Sequence, residues 1–515
     1  MIKTLGNNIV NAFTGGNPVK AIYTYGEKVW PTSGPYYIKW IPSSAEGQFN
    51  VDGTTYDLST FSGLYYWNTG IINSSAFENN RYIQSIETNA TSIGGYAFRS
   101  CYSLSQASLS MCESIGDFAF TNCGSLTQVS LPVCSYIGRS AFGYCRLLTQ
   151  VSLPVCSYIG GSGFEYCESL SQVSLPVCSY IGEKAFLYCS SLTQINLPMC
   201  SYIDVWAFYR CKSLSKVSLP VCKYIGDNVF TDCDLLTQVS LPVCSYIGSW
   251  VFDGCSSLSQ ISLPMCSYIG GWTFMSCYSL SQVSLPVCSY IGTSAFYKCS
   301  SLSQISLPMC NYIDISAFNN CRSLSKLSLP VCSYIGGYTF QSCGSLRQIN
   351  LPMCSYIGSS AFDHCSLMKQ VSLPVCEYIG ANAFHNCTSL LQISLPMCSY
   401  IEYSAFYYCR SLSKVSLPVC SYIGSYAFNI CYSLSQVSLP VCSYIADGAF
   451  YNCSSLSRIT IGYSGICSLE GIYAFEGTKI TSSTGSIYVP SSLVASYKIH
   501  SMWSDFKNRI FAIPS

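Results

Sequence analysis

Between Leu126 and Ile137 the pattern L-x-x-V-x-L-P-x-C-x-x-I places recurring apolar residues at Leu126, Val129, Leu131, Cys134 and Ile137, with Gln128 and Ser130 between them. The alternation over Val129, Ser130 and Leu131 predicts a short strand with one buried face. Pro132 has no N–H to give a ladder and predicts the strand's end. The second half, Gly138 to Cys145, sends Phe142 and Cys145 into the same interior, with Gly138 as the corner where the chain turns back. The string SLTQVSLPVCSYIGRSAFGYC, which begins at Ser125, then returns every 22 residues, in sixteen copies between Tyr102 and Cys453. A repeat of this length buries its apolar side only by stacking on its neighbours, so each copy predicts one turn of a solenoid. The expected fold is mainly β, a right-handed solenoid of about 18 turns spaced about 4.8 Å apart.

The cysteines follow the same metre: 33 of the 34 fall every 11 residues from Cys101 to Cys453. Two internal columns of small, reduced, apolar side chains are expected. Disulfides between turns are the alternative, opposed by parallel Cβ vectors and by the absence of a leader to an oxidising compartment. No C-x-x-C occurs and only His364, His385 and His500 could assist, so neither a metal site nor a cofactor is expected. Leaving aside the irregular first copy, five copies carry Met in place of Val before the first cysteine (Met199, Met265, Met309, Met353, Met397), each with Ile in the strand, which predicts compensating changes in core packing.

Charge narrows the function. Net charge is +1 and charged residues make up 10%, against about 25% in ordinary domains, so there is no basic stripe for nucleic acid. No apolar run reaches the roughly 20 residues that span a bilayer, so membrane insertion is not expected. Met1 to Trp30 lacks the apolar run of a signal peptide; the expectation is either a leader already removed or release by another route, such as lysis. G-x-S-x-G, P-loop and H-E-x-x-H motifs are absent and no carboxylate pair stands out, so the chain is not expected to be an enzyme.

Copies compared within the chain separate fixed from free positions. The Gln128 position is always Gln or Lys, and a tyrosine column runs from Tyr136 through 15 successive copies; both fit ladders that stack along the solenoid. Variation concentrates in the two residues before the A-F pair, the two after it, and the one after the second cysteine. Those places hold Trp206, Tyr209, Arg210, Trp250, Trp272, Tyr297, Tyr338, Tyr403, Tyr407, Tyr408 and Tyr426. Trp206, Trp250, Trp272, Tyr338 and Tyr426 share one place in the repeat and are expected on one side. Aromatics that change from turn to turn on a fixed scaffold predict a recognition surface.

The block S-L-x-x-V-x-L-P-x-C-x-x-I-G-x-x-A-F-x-x-C resembles the BspA-like leucine-rich repeat family, over about Ser75 to Ser515. Two departures are a repeat of 22 rather than about 23, and Cys134 and its equivalents where Val is common. The tail also resembles that family's C-terminus: Ile487 to Pro490, then an amphipathic stretch Ser491 to Ile510 with Trp503 and Phe506, read as a helical cap. The resemblance implies a leucine-rich-repeat solenoid and adhesion at the surfaces of host-associated microbes. Val19 to Trp30 is similar to short segments of phage structural proteins, which would place the chain in a tail. The expected organisation is an N-terminal attachment or capping module (1–74), the solenoid (75–475) and a C-terminal cap (476–515). The expected function is an extracellular adhesin or receptor-binding protein, on a cell surface or virion, that recognises a cell-surface glycan or protein. A self-associating structural scaffold is the alternative.

Overall fold

A computed structural model describes residues 70–514, apart from 82 and 483, together with the backbone of six short strands between Ile22 and Trp67. Two of these strands form an antiparallel hairpin, Ile22–Thr24 with Glu27–Trp30, and two more form another, Gln48–Val51 with Thr54–Asp57. Phe61–Trp67 pairs antiparallel with Ile41–Pro42 and parallel with Ile83–Thr88. Of the expected module over 1–74, the rest of residues 1–69 lies outside the described residues.

From there the chain is a mainly β, parallel solenoid of about twenty turns, divided into two compact units. The first takes in the chain to Cys244 with Val251–Ser256; the second takes in Ser245–Trp250 and Ser257–Ser515. Each regular turn has two short strands, such as Gln128–Ser130 and Tyr136–Ile137. Pairing is parallel at a 22-residue offset: Gln128 lies on Gln150, Val129 on Val151, Ser130 on Ser152, Tyr136 on Tyr158 and Ile137 on Ile159. Like residues therefore stack on like. Only three residues of the first strand pair, because the Pro at the Pro132 position cannot donate.

The interior repeats with the same period. Leu126, Val129, Leu131, Cys134, Ile137, Ala141, Phe142 and Cys145 are all buried. Phe120, Phe142 and Phe164 stack nearly parallel with centroids 5.1 and 5.3 Å apart, a separation at which offset aromatic pairs attract. All 34 cysteines are buried and free. Each column also uses its thiol: Cys145 Sγ donates to the Phe120 carbonyl in the preceding turn at 3.2 Å, and Cys134 Sγ to the Tyr136 carbonyl at 3.3 Å. A small thiol thus fills a core position while serving a second carbonyl lone pair.

Three expectations change. The Val and Met residues before the first cysteine are not core: Val133 is 39% and Met199 56% exposed, so their exchange compensates no packing. Beyond Pro132 the alternation of the strand no longer holds, and the side chain points out. The glutamine column is exposed, yet no side-chain hydrogen bond joins consecutive glutamines among the described residues; the ladder there is backbone. At Gly138 the constraint is close approach rather than an unusual dihedral, since a Cβ would lie 2.8 Å from the Gly116 carbonyl carbon of the turn before.

The C-terminal cap is three short helical pieces instead of one helix: Ser491–Leu493, Val494–Ile499 and Ser504–Arg509, ahead of strand Ile510–Ala512. Phe475 ends the phenylalanine column and meets Phe506 edge-on at 5.5 Å, so no ring face is left open for another turn. Trp503 and Tyr497 are fully buried beneath it; Trp503 Nε1 donates to the Cys467 carbonyl and the Cys467 N–H to Tyr497 Oη, both at 2.8 Å.

Burial pushes the Cys112 thiol up to about 11 and Cys134 to about 12, so both are neutral thiols at neutral pH and only a thiolate attacks a disulfide reagent. The native protein is expected to give almost no reaction with an aromatic disulfide at about pH 8, and all 34 thiols to react once denatured. A fast-reacting class in the native protein would contradict this burial.

Candidate functional site

The variable positions lie on the segment between the second strand and the second cysteine, where two residues, four apart, adopt the left-handed conformation. In one turn these are Ser140 (φ 48°) and Tyr144 (φ 63°). The N–H groups of Ser140, Phe142 and Tyr144 face the next turn, where they donate to the carbonyls of Gly161, Gly163 and Glu165 at 2.8, 2.8 and 2.7 Å. Ala141, Gly143 and Cys145 donate back within their own turn to Gly138, Ser140 and Phe142. With every amide partnered, Ala141, Phe142 and Cys145 stay buried and large residues at the Ser140 and Tyr144 positions are left at the surface.

A left-handed residue other than glycine costs roughly 1–2 kcal/mol, least for Asn, Asp and His. Some copies use the easy residues, such as Gly254, Asn228, Asn382 and Gly448. Others hold Trp206, Trp250, Trp272, Tyr338 and Tyr426 at φ between 56° and 59°. Bulky aromatics thus occupy a backbone position that the fold alone would fill better with glycine or asparagine, an outlier of the kind that gathers at functional sites.

In the first unit, Trp206 and Tyr209 join residues the sequence reading did not nominate. Tyr144, Tyr166 and Tyr188 stack at 4.8 and 4.7 Å. The column ends at Arg210, whose guanidinium lies 5.5 Å from the Tyr188 ring and 5.3 Å from the Tyr209 ring. Arg210 also donates to Tyr188 Oη and to Asp232 Oδ2, each at 2.9 Å. Lys184 Nζ sits 5.0 Å from the Trp206 ring. Tyr96 and Phe118 form another stacked pair at 5.0 Å. The signal for these was present: all occupy the positions flanking the A-F pair. Next to Asp232, burial and that neighbouring carboxylate raise Asp253 to about 6.

In the second unit, Trp250 and Trp272 stack face to face, 4.7 Å apart and 2° from parallel. Tyr297 carries Lys298 Nζ 5.1 Å from its ring, and Tyr338 is 44% exposed with no ring partner among the described residues. The remaining four, Tyr403, Tyr407, Tyr408 and Tyr426, come together. Tyr403 meets Tyr426 edge-on at 6.1 Å, Tyr407 stacks on His385 at 5.2 Å, and Tyr408 lies beside Tyr407 under Arg410.

Tyr403, Tyr407 and Tyr426 line an open cavity of about 330 Å³ with Asn382, His385, Ser404 and Asn429. Asn429 is 6% exposed, and its Oδ1 has no hydrogen-bond partner. In the same repeat position as Tyr407 and Asn429, a polar chain runs through the four preceding turns. Asn319 Nδ2 donates to Gln341 Oε1 at 3.0 Å and Gln341 Nε2 to Asp363 Oδ2 at 2.9 Å; Asp363 Oδ1 lies 2.6 Å from His364 Nδ1 and 2.7 Å from His385 Nδ1. Burial alone would raise the Asp363 carboxyl, but these hydrogen bonds and the two rings hold it below its ordinary value. By contrast, the strand faces line broader depressions of about 870 Å³ in the first unit and about 800 Å³ in the second, made of the residues that vary least between copies.

A family model described as BspA type leucine rich repeat region, in 6 copies, matches residues 70–193, 179–298, 223–332, 267–390 and 377–494. Among solved structures the chain is similar to a leucine rich cell surface protein from Faecalibacterium prausnitzii, at 21% identity over 63% of this chain and 85% of that one, TM-score 0.34. It is similar to a leucine-rich repeat protein from Bacteroides ovatus at 20% identity over 100% of both chains, TM-score 0.28. A third likeness is to the pneumococcal vaccine antigen PcpA, at 15% identity over 92% of this chain and 100% of that one, TM-score 0.31. A search of curated proteins finds no match.

Two stability measurements check this geometry. Replacing Tyr338 by Gly relieves a left-handed side chain that packs on no ring, and is expected to keep or raise stability by up to about 1 kcal/mol in thermal or urea unfolding; a clear loss would show that the ring holds the fold. For Asp253, a folded pKa of about 6 means the folded chain binds the proton more tightly than the unfolded one. Stability therefore falls as pH rises from about 4 to about 6, and Asp253→Asn is expected to melt higher than the parent at about pH 7.5 but with it near pH 4. Equal melting at both pH values would remove the assigned shift.

Proposed function

The chain belongs to the BspA-type leucine-rich repeat family, and from that premise we propose that it is a non-enzymatic adhesin or receptor-binding protein. It acts at a cell or virion surface and takes a glycan or protein on the aromatic side chains of its left-handed turn positions. One observation carries the reading: three variable tyrosines, Tyr403, Tyr407 and Tyr426, wall a cavity that is also lined by Asn429, whose buried Oδ1 has no hydrogen-bond partner. An acceptor left without a donor costs about 1–3 kcal/mol, and a ligand hydroxyl or amide N–H would satisfy it. Tyrosine faces with a few fixed polar groups suit a sugar ring or a protein loop. The stacked Trp250–Trp272 pair and the Tyr144–Tyr166–Tyr188–Arg210 column extend the same chemistry in each unit.

A second reading has its own observation. The row Val133, Val155, Val177 and Met199 is exposed turn after turn, between 38% and 57% with its equivalents, and a regular apolar stripe favours association of copies into a scaffold.

Full-length protein, kept reduced, would be applied to a glycan array and to intact bacterial and epithelial cells. Saturable binding is expected, and the triple variant Tyr403→Ser, Tyr407→Ser, Tyr426→Ser is expected to bind at least about tenfold more weakly, as loss of one interface anchor does, while unfolding as the parent does. Unchanged binding would reject this cavity. Ordered self-association with no saturable binding would favour the scaffold.

A further inference from the structure

Two of the chain's three histidines converge on one buried carboxylate. Asp363 and His385 occupy the same place in consecutive turns, directly after the A-F pair, and His364 follows Asp363. Asp363 is 7% exposed, whereas the His364 and His385 side chains are 54% and 24% exposed. The left-handed backbone at His364 (φ 60°) carries its ring back over Asp363, and the inter-turn stacking brings His385 up beside it. The rings stand at 72° to one another with centroids 5.4 Å apart, so they approach the carboxylate from different directions. One ligand atom from each of the three residues lies within 4.8 Å of the others.

We propose that Asp363, His364 and His385 bind a divalent transition-metal ion of the zinc class, through both Nδ1 atoms and one Asp363 oxygen. Two imidazoles and a carboxylate suit zinc, nickel, copper or iron(II) rather than magnesium or calcium, which select oxygen ligands. A tetrahedral ion with bonds of about 2.0–2.1 Å separates its ligands by roughly 3.3 Å. The present contacts of 2.6 and 2.7 Å therefore open by less than an ångström as the ion enters between Asp363 and the two Nδ1 atoms. Each neutral ring then carries its proton on Nε2.

The outer partners for this state are in place. Asn386 Nδ2 lies 3.2 Å from His364 Nε2, and with the amide turned its oxygen accepts the Nε2 proton; Gln341 Nε2 already fixes the far oxygen of Asp363. Such second partners orient ligating residues in metal sites. The neighbouring Cys365 and Cys387 are fully buried in the interior and do not join the set. His385 also lines the tyrosine cavity, so a fourth, solvent-filled coordination position can open there. The inference does not depend on the ligand proposed above.

The test is titration of the full-length reduced protein with Co²⁺ followed by visible absorption, and with Zn²⁺ followed by calorimetry. One equivalent is expected to bind saturably, with cobalt bands that show no thiolate charge transfer. His364→Gln and His385→Gln, both at partly exposed side chains, are each expected to weaken binding at least about tenfold, and His500→Gln to leave it unchanged. Absence of saturable binding would overturn the site. So would undiminished binding in the double variant His364→Gln, His385→Gln with a native circular dichroism spectrum.

Discussion

Parallel, in-register hydrogen bonding between turns 22 residues apart governs everything else in this protein. It places each side chain on the same side chain of the next turn, at close to the strand spacing of about 4.8 Å. Apolar residues profit from this: columns of Phe, Ile, Leu and Cys fill the interior. Charged residues do not, because a repeated charge faces its own kind at that distance. The low content of charged residues, 10%, follows from the architecture. At the glutamine column, lysine enters only as Lys216, Lys326 and Lys414, never in consecutive turns; Lys216 is flanked by Gln194 and Gln238. Some of the charge is answered locally, as Arg210 is by Asp232.

The same stacking separates scaffold from surface. The strand face and the tyrosine column repeat nearly unchanged, whereas the left-handed segment takes almost any residue because its backbone bonds are made by N–H and C=O groups whatever the side chain. Its geometry favours glycine and asparagine, yet aromatics recur there. A position that is backbone-satisfied, outward-facing and tolerant of any side chain is where a repeat protein can vary what it recognises without disturbing its core. The tyrosine cavity and the Asp363 cluster both arise on this segment, from residues in neighbouring turns that approach across the stacking direction.

Repeat length, the strand and its end at Pro132, the buried identity of Leu126, Phe142 and Cys145, and an aromatic cap at Trp503 were all legible in the residues, since each rests on local periodicity or on a breaker. The outward turn of Val133 and Met199 was not, because alternation stops at the proline and nothing local replaces it. Nor was the left-handed backbone of Trp206 or Tyr338, which the hydrogen bonds of adjacent turns impose against local preference. Asp363 and His385 could be put in one column by aligning copies, since 22 residues separate them.

Sequence by itself determined the recurring interior columns of Leu, Ile, Phe and Cys and which turn follows which, because burial with a fixed period is a one-dimensional property of the chain. Only the tertiary structure decided which surface residues meet. The convergence of Asp363, His364 and His385, the wall formed by Tyr403, Tyr407 and Tyr426, and the unpaired oxygen of Asn429 depend on dihedral angles and inter-turn distances. Those are set through space by backbone groups that carry no sequence signature.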